Sequence, residues 1–334
     1  MSLQHIAMLV LDIWVKIEEN LSRVKVLVTN YVHPCLMEGL EQMGYEAIYE
    51  PDFDPQELES VLPSLVGIII NTKIKMTAER INLAEKLQFI GRLGSGLDII
   101  DLDAAEQKAV AVLNSPEGNR NAVAEHALGM LLCLANNIRR GDKEVRQKLW
   151  QREQNRGFEL EGKTVGLIGF GNTGQALARK LSRWALRVTY TDPYLLDIPE
   201  EFSNIESVTF NQLQREADII SLHVQLTEET RGMIDKNFLM KCKKGLVLIN
   251  TSRGAVVDTR ALLNSLDSGQ VSGACLDVFE NEKPHSFSIE ENQLYDRLYS
   301  LENVVLTPHV AGWTHESLRK IAETLLTKIG ALRT

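Results

Sequence analysis

The sequence predicts an α/β protein made of two doubly wound parallel sheets with a cleft between them. Short β-branched runs alternate with helix-forming stretches almost from end to end, the pattern of βα units. The alternation falls into two series, separated by a long helical stretch from about Asn121 to Arg139. The 334 residues also suit two domains at roughly 100–200 residues each.

In the first series, Val24–Thr29, Val66–Ile70, Phe89–Leu93 and Val110–Leu113 read as strands. Asp54-Pro55-Gln56-Glu57 opens a helix, with Asp as N-cap and Pro at the first position. Thr77 and Asp101 stand where they can cap the helices that follow. The long helix is expected to stop near Gly141. The strands of the second series are Thr164–Gly169, Arg187–Thr191, Ile219–His223, Leu246–Asn250 and Gly273–Asp277. A last strand, Val304–Thr307, precedes a closing helix that Thr314 can cap. The first 22 residues precede the first clear strand, and read either as an extension or as an amphipathic helix on the first domain.

Composition narrows the function. Acidic residues exceed basic ones, giving a net charge of −9, which argues against nucleic acid or an anionic membrane surface as partner, because phosphates need a basic face. No stretch approaches the roughly 18 consecutive apolar residues of a membrane helix. Cys35, Cys133, Cys242 and Cys275 are far apart and form no Cys-x-x-Cys pair, so reduced thiols in a cytoplasmic protein, with no metal site, are the expectation.

The strongest local signal is Gly169-Phe170-Gly171-Asn172-Thr173-Gly174, directly after an apolar strand and directly before a helix starting near Gln175. Gly169 permits the tight turn, Gly171 lets the backbone approach a pyrophosphate, and Gly174 lets helix and strand pack closely. The helix N-terminus offers unpaired N–H groups to the phosphates. The next strand runs into Asp192, near the spacing of about 20 residues expected for a carboxylate on the ribose hydroxyls. A carboxylate there repels a 2′-phosphate, so NAD is expected rather than NADP. The fingerprint sits in the second series, which leaves the first free to hold a substrate.

Hydride transfer from an alcohol needs a base, a group to orient it and a cation to grip the substrate. Among the histidines, His309 follows a strand and the rigid Pro308, and His223 also ends a strand, so both are candidate bases. His126 lies inside the long helix and reads as a packing or interface residue. Arg253, just past a strand, has the forked guanidinium that suits a carboxylate. Glu280 and Glu282 follow the strand ending at Asp277, and either can orient a histidine.

From about Val24 onward, these residues resemble the D-2-hydroxyacid dehydrogenase family. The resemblance is carried by Arg92-Leu93-Gly94-Ser95-Gly96-Leu97-Asp98, the glycine loop, Leu222-His223-Val224-Gln225-Leu226-Thr227, Asn250-Thr251-Ser252-Arg253-Gly254, Leu276-Asp277-Val278-Phe279-Glu280-Asn281-Glu282, and Thr307-Pro308-His309-Val310-Ala311-Gly312. It implies an NAD-dependent enzyme that interconverts a D-2-hydroxy acid and its 2-oxo acid. Arg253 would bind substrate, Glu282 would partner the histidine, and His309 would be the acid/base. Ser95 and Gly96 would present backbone N–H groups to the substrate carboxylate. Thr251, Asp277 and Gly312 would line the nicotinamide half of the cofactor, and Asn172, Thr173 and Asp192 the other half. The implied domains are discontinuous and Rossmann-like: residues 23–116 with 302–334 for substrate, and 117–301 for NAD. A homodimer is implied as well.

Within the family the chain looks most like the phosphoglycerate dehydrogenases. Asn71, however, stands where those commonly carry an Arg for the substrate phosphate. That favours glyoxylate or hydroxypyruvate reduction as the alternative, unless Lys73 or Lys75 supplies the charge. Gln225 stands where Pro is frequent, and Lys283 separates Glu282 from Pro284. The end of the chain at Thr334 leaves no room for a further regulatory domain, so feedback through one is not expected. A second class of reading is an NAD-sensing, corepressor-like binding protein, since fold alone does not fix function.

Overall fold

The computed structural model describes residues 24–332, and the expected extension over residues 1–22 lies outside them. The described residues form two compact units: one comprises those up to Asn119 together with those from His315, the other Arg120–Thr314. The α/β expectation, with a parallel sheet in each unit, holds for both.

In the first unit, strands β1 (Lys25–Val28), β2 (Glu46–Tyr49), β3 (Leu65–Ile70), β4 (Phe89–Arg92) and β5 (Ala111–Leu113) form a parallel sheet in the order β2-β1-β3-β4-β5. The central β3 is buried along its whole length, as a strand covered on both faces must be. One face is filled by Leu58, Leu62, Ile81 and Ile100 from the connecting segments. The other packs on Leu36 and Leu40 and on Ile321, Ala322, Leu325 and Ile329 of the C-terminal helix His315–Ala331. That helix returns to the unit where the chain began because its apolar stripe repeats at three and four residues. Asp54, Thr77 and Asp101 cap their helices, accepting from Gln56, Arg80 and Ala104 N–H groups.

In the second unit, β6 (Thr164–Ile168), β7 (Arg187–Thr191), β8 (Glu206–Ser207), β9 (Ile219–Leu222), β10 (Leu246–Asn250), β11 (Val271–Leu276) and β12 (Val304–Leu306) are ordered β12-β11-β10-β9-β6-β7-β8. All pairs are parallel. This is the doubly wound order whose winding reverses between β6 and β9, where ligands bind beyond the strand ends. The helix Pro116–Ala135 covers one face with Ala124, Ala127, Met130, Leu131 and Leu134.

Three expectations are corrected. The long helix begins at Pro116, before Asn121, because Pro in a first turn sacrifices no hydrogen bond. It ends at Ala135 rather than Arg139. Phe158 N–H takes the Ala135 carbonyl at 3.0 Å, Asn137 turns left-handed at φ 51°, and a separate helix, Ile138–Arg146, runs straight through Gly141. The second boundary lies at 314/315 rather than 301/302, because β12 pairs with β11 from Ala274↔Val304 to Leu276↔Leu306.

Gly67 on β3 lies directly opposite Phe89 on β4. A Cβ there would stand 2.2 Å from the Phe89 ring, so the missing side chain is what admits the ring to the core. Gly67→Ala is expected to destabilise the protein by about 1–3 kcal/mol through overpacking, read as a lower urea midpoint with an unchanged slope.

Candidate active site

The glycine loop closes the end of β6. Gly169 has φ +90°, and a Cβ on it would stand 2.5 Å from the His223 carbonyl oxygen beyond β9. Glycine is therefore needed both for the turn and for the approach of two strand ends. The helix after the loop spans Asn172–Leu181, starting earlier than Gln175, and among the described residues no side chain caps its first N–H groups. A Cβ on Gly171 would meet nothing within 4 Å. The open cradle and uncapped helix end fit a pyrophosphate. Arg120 adds a cation beside that end by donating to Asn172 Oδ1 at 3.3 Å; a lone Arg in a helix gave no signal in the sequence. Asp192, past β7, accepts from Phe170 N at 2.8 Å and Tyr194 N at 3.0 Å, which fixes its carboxylate beside the loop.

Arg253 follows β10 in a turn shaped by Asn250. The buried Asn250 carboxamide accepts from Ser252 N and Oγ, and donates to the Arg253 carbonyl at 2.9 Å. Sequence reading assigned Asn250 no role. Arg253 Nη1 donates to the Ser252 carbonyl at 2.8 Å. A Cβ on Gly254 would stand 1.9 Å from the Phe279 carbonyl, so this turn presses directly on the segment that carries Glu280 and Glu282. Thr251 Oγ1 is enclosed with no hydrogen-bond partner among the described residues. An unsatisfied buried hydroxyl in the expected nicotinamide half fits a ligand that completes it.

The geometry separates the two glutamates. Glu280 Oε2 accepts from Thr259 N at 2.9 Å at the start of the helix Thr259–Asp267. Glu282 Oε2 lies 2.8 Å from His309 Nδ1. Burial pushes the Glu282 carboxyl up. The hydrogen bond to His309, its charge, the Phe279 N–H and the Arg253 charge together outweigh burial and hold it below the usual carboxylate range. Guanidinium, carboxylate and imidazole thus belong to one electrostatic cluster.

His309 sits at φ +57°, a left-handed conformation that costs an L-residue roughly 1–2 kcal/mol. Asp277, 1% exposed, holds it there. The Asp277 carbonyl accepts from His309 N at 2.8 Å. Its carboxylate accepts from Val310 N at 2.9 Å, Ala311 N at 2.8 Å and Thr307 Oγ1 at 2.5 Å. Asp277 therefore builds the turn that presents the histidine, whatever else it contacts; Gly312 follows directly. His223 is settled differently. Its Nε2 is enclosed without a hydrogen-bond partner among the described residues, and burial pulls its pKa down to about 4, leaving it neutral near pH 7.

Ser95 and Gly96 belong to the first unit, on the loop after β4. That loop is tied by Gly94 N to Ser115 Oγ at 3.0 Å and by Asn114 Nδ2 to the Ser95 carbonyl at 2.9 Å. Among the described residues no three of His, Cys, Asp and Glu form a metal-binding group, and no helix is long and apolar enough to cross a membrane.

Because the Glu282 pKa is lowered on folding, its pairing stabilises the fold above the unfolded value near 4.3 and is lost as pH falls through the folded one. Glu282→Gln is expected to lower the melting temperature relative to the parent at pH 7. That difference is expected to close on acidification below about pH 4, as read by thermal unfolding at both pH values.

Residues 128–311 match the family model for the D-isomer specific 2-hydroxyacid dehydrogenase NAD binding domain. The chain is 33% identical over 301 residues to D-3-phosphoglycerate dehydrogenase of Homo sapiens, covering 90% of this chain and 55% of that protein; it thus spans about half the length of that relative. It is 38% identical over 276 residues to hydroxypyruvate reductase of Thermotoga maritima, covering 83% of this chain and 87% of the relative. The crystal structure of D-lactate dehydrogenase from Aquifex aeolicus, complexed with NAD and lactic acid, superposes with a TM-score of 0.79 at 29% identity, covering 92% of this chain and 95% of that one. The glycine loop, the strand order and these similarities agree: the chain belongs to the D-isomer specific 2-hydroxyacid dehydrogenase family, and residues 128–311 are its NAD-binding domain.

Proposed function

We propose that the protein is an NAD-dependent oxidoreductase that interconverts a D-2-hydroxy acid and its 2-oxo acid. The observation that carries this reading is the His309–Glu282 pair at 2.8 Å, with the Arg253 charge acting on the same carboxylate. A binding protein has no need of an acid/base pair beside a cation, so turnover is favoured over a purely sensing role.

Bound NAD supplies the hydride acceptor and NADH the hydride. The cradle for it consists of Gly169, Gly171, Asn172, Thr173 and Gly174, with Asp192 at the ribose and Thr251, Asp277 and Gly312 on the nicotinamide side. The pairing with Glu282 uses His309 Nδ1, so Nε2 is the atom left to exchange a proton with the substrate oxygen. Glu282 fixes the tautomer and stabilises the imidazolium. Imidazolium donates from Nε2 when the oxo acid is reduced, and neutral imidazole accepts there in oxidation. Arg253 grips the substrate carboxylate and polarises the reacting carbonyl. On the first unit, the Ser95 and Gly96 N–H groups are the proposed small anion nest for a carboxylate.

For the substrate, the neutral Asn71 points to an unphosphorylated acid such as hydroxypyruvate or glyoxylate. Its Oδ1 accepts from Lys73 N at 2.9 Å, so its side chain is already engaged in its own turn. The phosphorylated substrate named by the phosphoglycerate dehydrogenase relatives is the second reading, supported by the exposed Lys73 and Lys75. A homodimer is part of the proposal, supported by Ile138, Val145, Leu149 and Trp150, all 41% exposed or more, on and just after one helix.

In a screen of 2-oxo acids with NADH followed at 340 nm, hydroxypyruvate or glyoxylate is expected to give a higher kcat/KM than phosphohydroxypyruvate. His309→Gln is expected to lower kcat by about 10²–10⁴-fold. No reduction of any 2-oxo acid, or full activity in that variant, would falsify the reading. Light scattering is expected to give twice the chain mass, falling to one chain mass when Val145 and Trp150 are replaced by Glu and Ser.

A further inference from the structure

The mechanism gives His126 no task. His126 lies on the helix Pro116–Ala135, yet its ring reaches the end of β12. Its Nε2 stands 2.9 Å from Thr307 Oγ1 and 3.6 Å from Asp277 Oδ1. Thr307 Oγ1 in turn lies 2.5 Å from the same Asp277 oxygen.

Donor arithmetic fixes the direction of these bonds. An ionised carboxylate only accepts, so the single Thr307 hydroxyl hydrogen goes to Asp277. Its oxygen is then left to accept, and His126 Nε2 must carry the hydrogen that meets it. The chain runs His126 Nε2–H to Thr307, Thr307 O–H to Asp277, and Asp277 carboxylate to the Val310 and Ala311 N–H groups. It ends on the turn that holds His309 at φ +57°. Met130, one helical turn beyond His126 on the same face, offers the Thr307 hydroxyl a competing acceptor, its sulfur at 3.7 Å. With the His126 donor present, the hydroxyl stays on Asp277. Without it, the hydroxyl oxygen loses the donor that helps fix its orientation between Asp277 and the Met130 sulfur.

We propose that His126 is a positioning residue for His309, acting through Thr307 and Asp277 to hold the strained turn that aims the imidazole. The proposal rests on the reading of His309 as the proton carrier. The consequence for turnover follows from the tolerance of proton transfer to misplacement: displacing a donor by a fraction of an ångström slows the chemical step without altering how substrate is bound.

The test compares the full-length parent with His126→Leu, which removes the donor, and His126→Gln, whose amide can donate from a similar place. Thr307→Val breaks the chain one link further on, and serves if the Leu variant fails to fold. Hydrogen exchange read by mass spectrometry reports the turn directly. Peptides covering residues 307–313 are expected to exchange faster in the Leu and Val variants and at the parental rate in the Gln variant. With the 2-oxo acid that the parent reduces, kcat is expected to fall about tenfold in the Leu variant while KM stays within about twofold. The kinetic isotope effect with 4-deuterated NADH is expected to rise, because chemistry becomes rate-limiting. A mere loss of folded enzyme lowers kcat and leaves that isotope effect unchanged. Parental exchange over 307–313 in both the Leu and Val variants overturns the proposal. So do equal losses in the Leu and Gln variants with an unchanged isotope effect. If the parent reduces no 2-oxo acid, the functional reading fails on its own, and the exchange data still decide the role of His126.

Discussion

One buried carboxylate organises the turn that carries His309 in the NAD-binding unit. Asp277 is almost fully enclosed, and an enclosed charge without partners is costly. Its partners are the two backbone N–H groups that follow His309 and the hydroxyl that precedes it. Hydrogen bonds to a charged group are worth roughly 1.5–3 kcal/mol each, so three of them exceed the roughly 1–2 kcal/mol cost of a left-handed histidine. The strain is local and the compensation is local. The turn is thus over-determined, and the imidazole it presents is aimed by the backbone before any ligand arrives.

Close backbone approach is the second constraint. In a parallel sheet all strands deliver their carboxyl ends to one edge, but side chains keep the loops there apart. Glycine removes that separation at two points. Gly169 lets the end of β6 meet the carbonyl beyond β9, and Gly254 lets the arginine turn press on the segment of Glu280 and Glu282. That close approach sets the arginine turn against the segment whose Glu282 carboxylate feels the Arg253 charge. Glycine, a residue without chemistry of its own, sets the spacing of the charged groups.

Much of this was legible in the sequence because it follows from local rules. The glycine fingerprint, the carboxylate after β7 and the placement of Arg253, Glu282 and His309 after strands are all short-range patterns. What escaped was decided by tertiary partners. The edge strands Glu46–Tyr49 and Glu206–Ser207 are too short to show a period, and exist because a neighbour pairs with them. The break in the long helix depends on Phe158 claiming a carbonyl. The boundary at 314/315 depends on β12 adding to a sheet begun far earlier. Glu280 and Glu282 are equivalent on paper, and only the approach of Thr259 to one and His309 to the other tells them apart. His126 read as a packing residue because a hydrogen bond spanning 181 positions leaves no trace in spacing.

The two histidines at strand ends show how environment assigns role. His223 and His309 both follow a strand of the same sheet, and residue type alone cannot rank them. Among the described residues the enclosed His223 Nε2 has no hydrogen-bond partner, and burial makes its charged form so unfavourable that its pKa falls to about 4. Near neutral pH it neither gains nor gives up a proton. The His309 side chain keeps 40% of its surface accessible and shares a hydrogen bond with a carboxylate held below its usual range. Proton exchange requires both access for the partner oxygen and a neighbour that tolerates the charge. His309 meets both requirements and His223 meets neither, so the geometry supports the base proposed above, which position in the sequence left undecided.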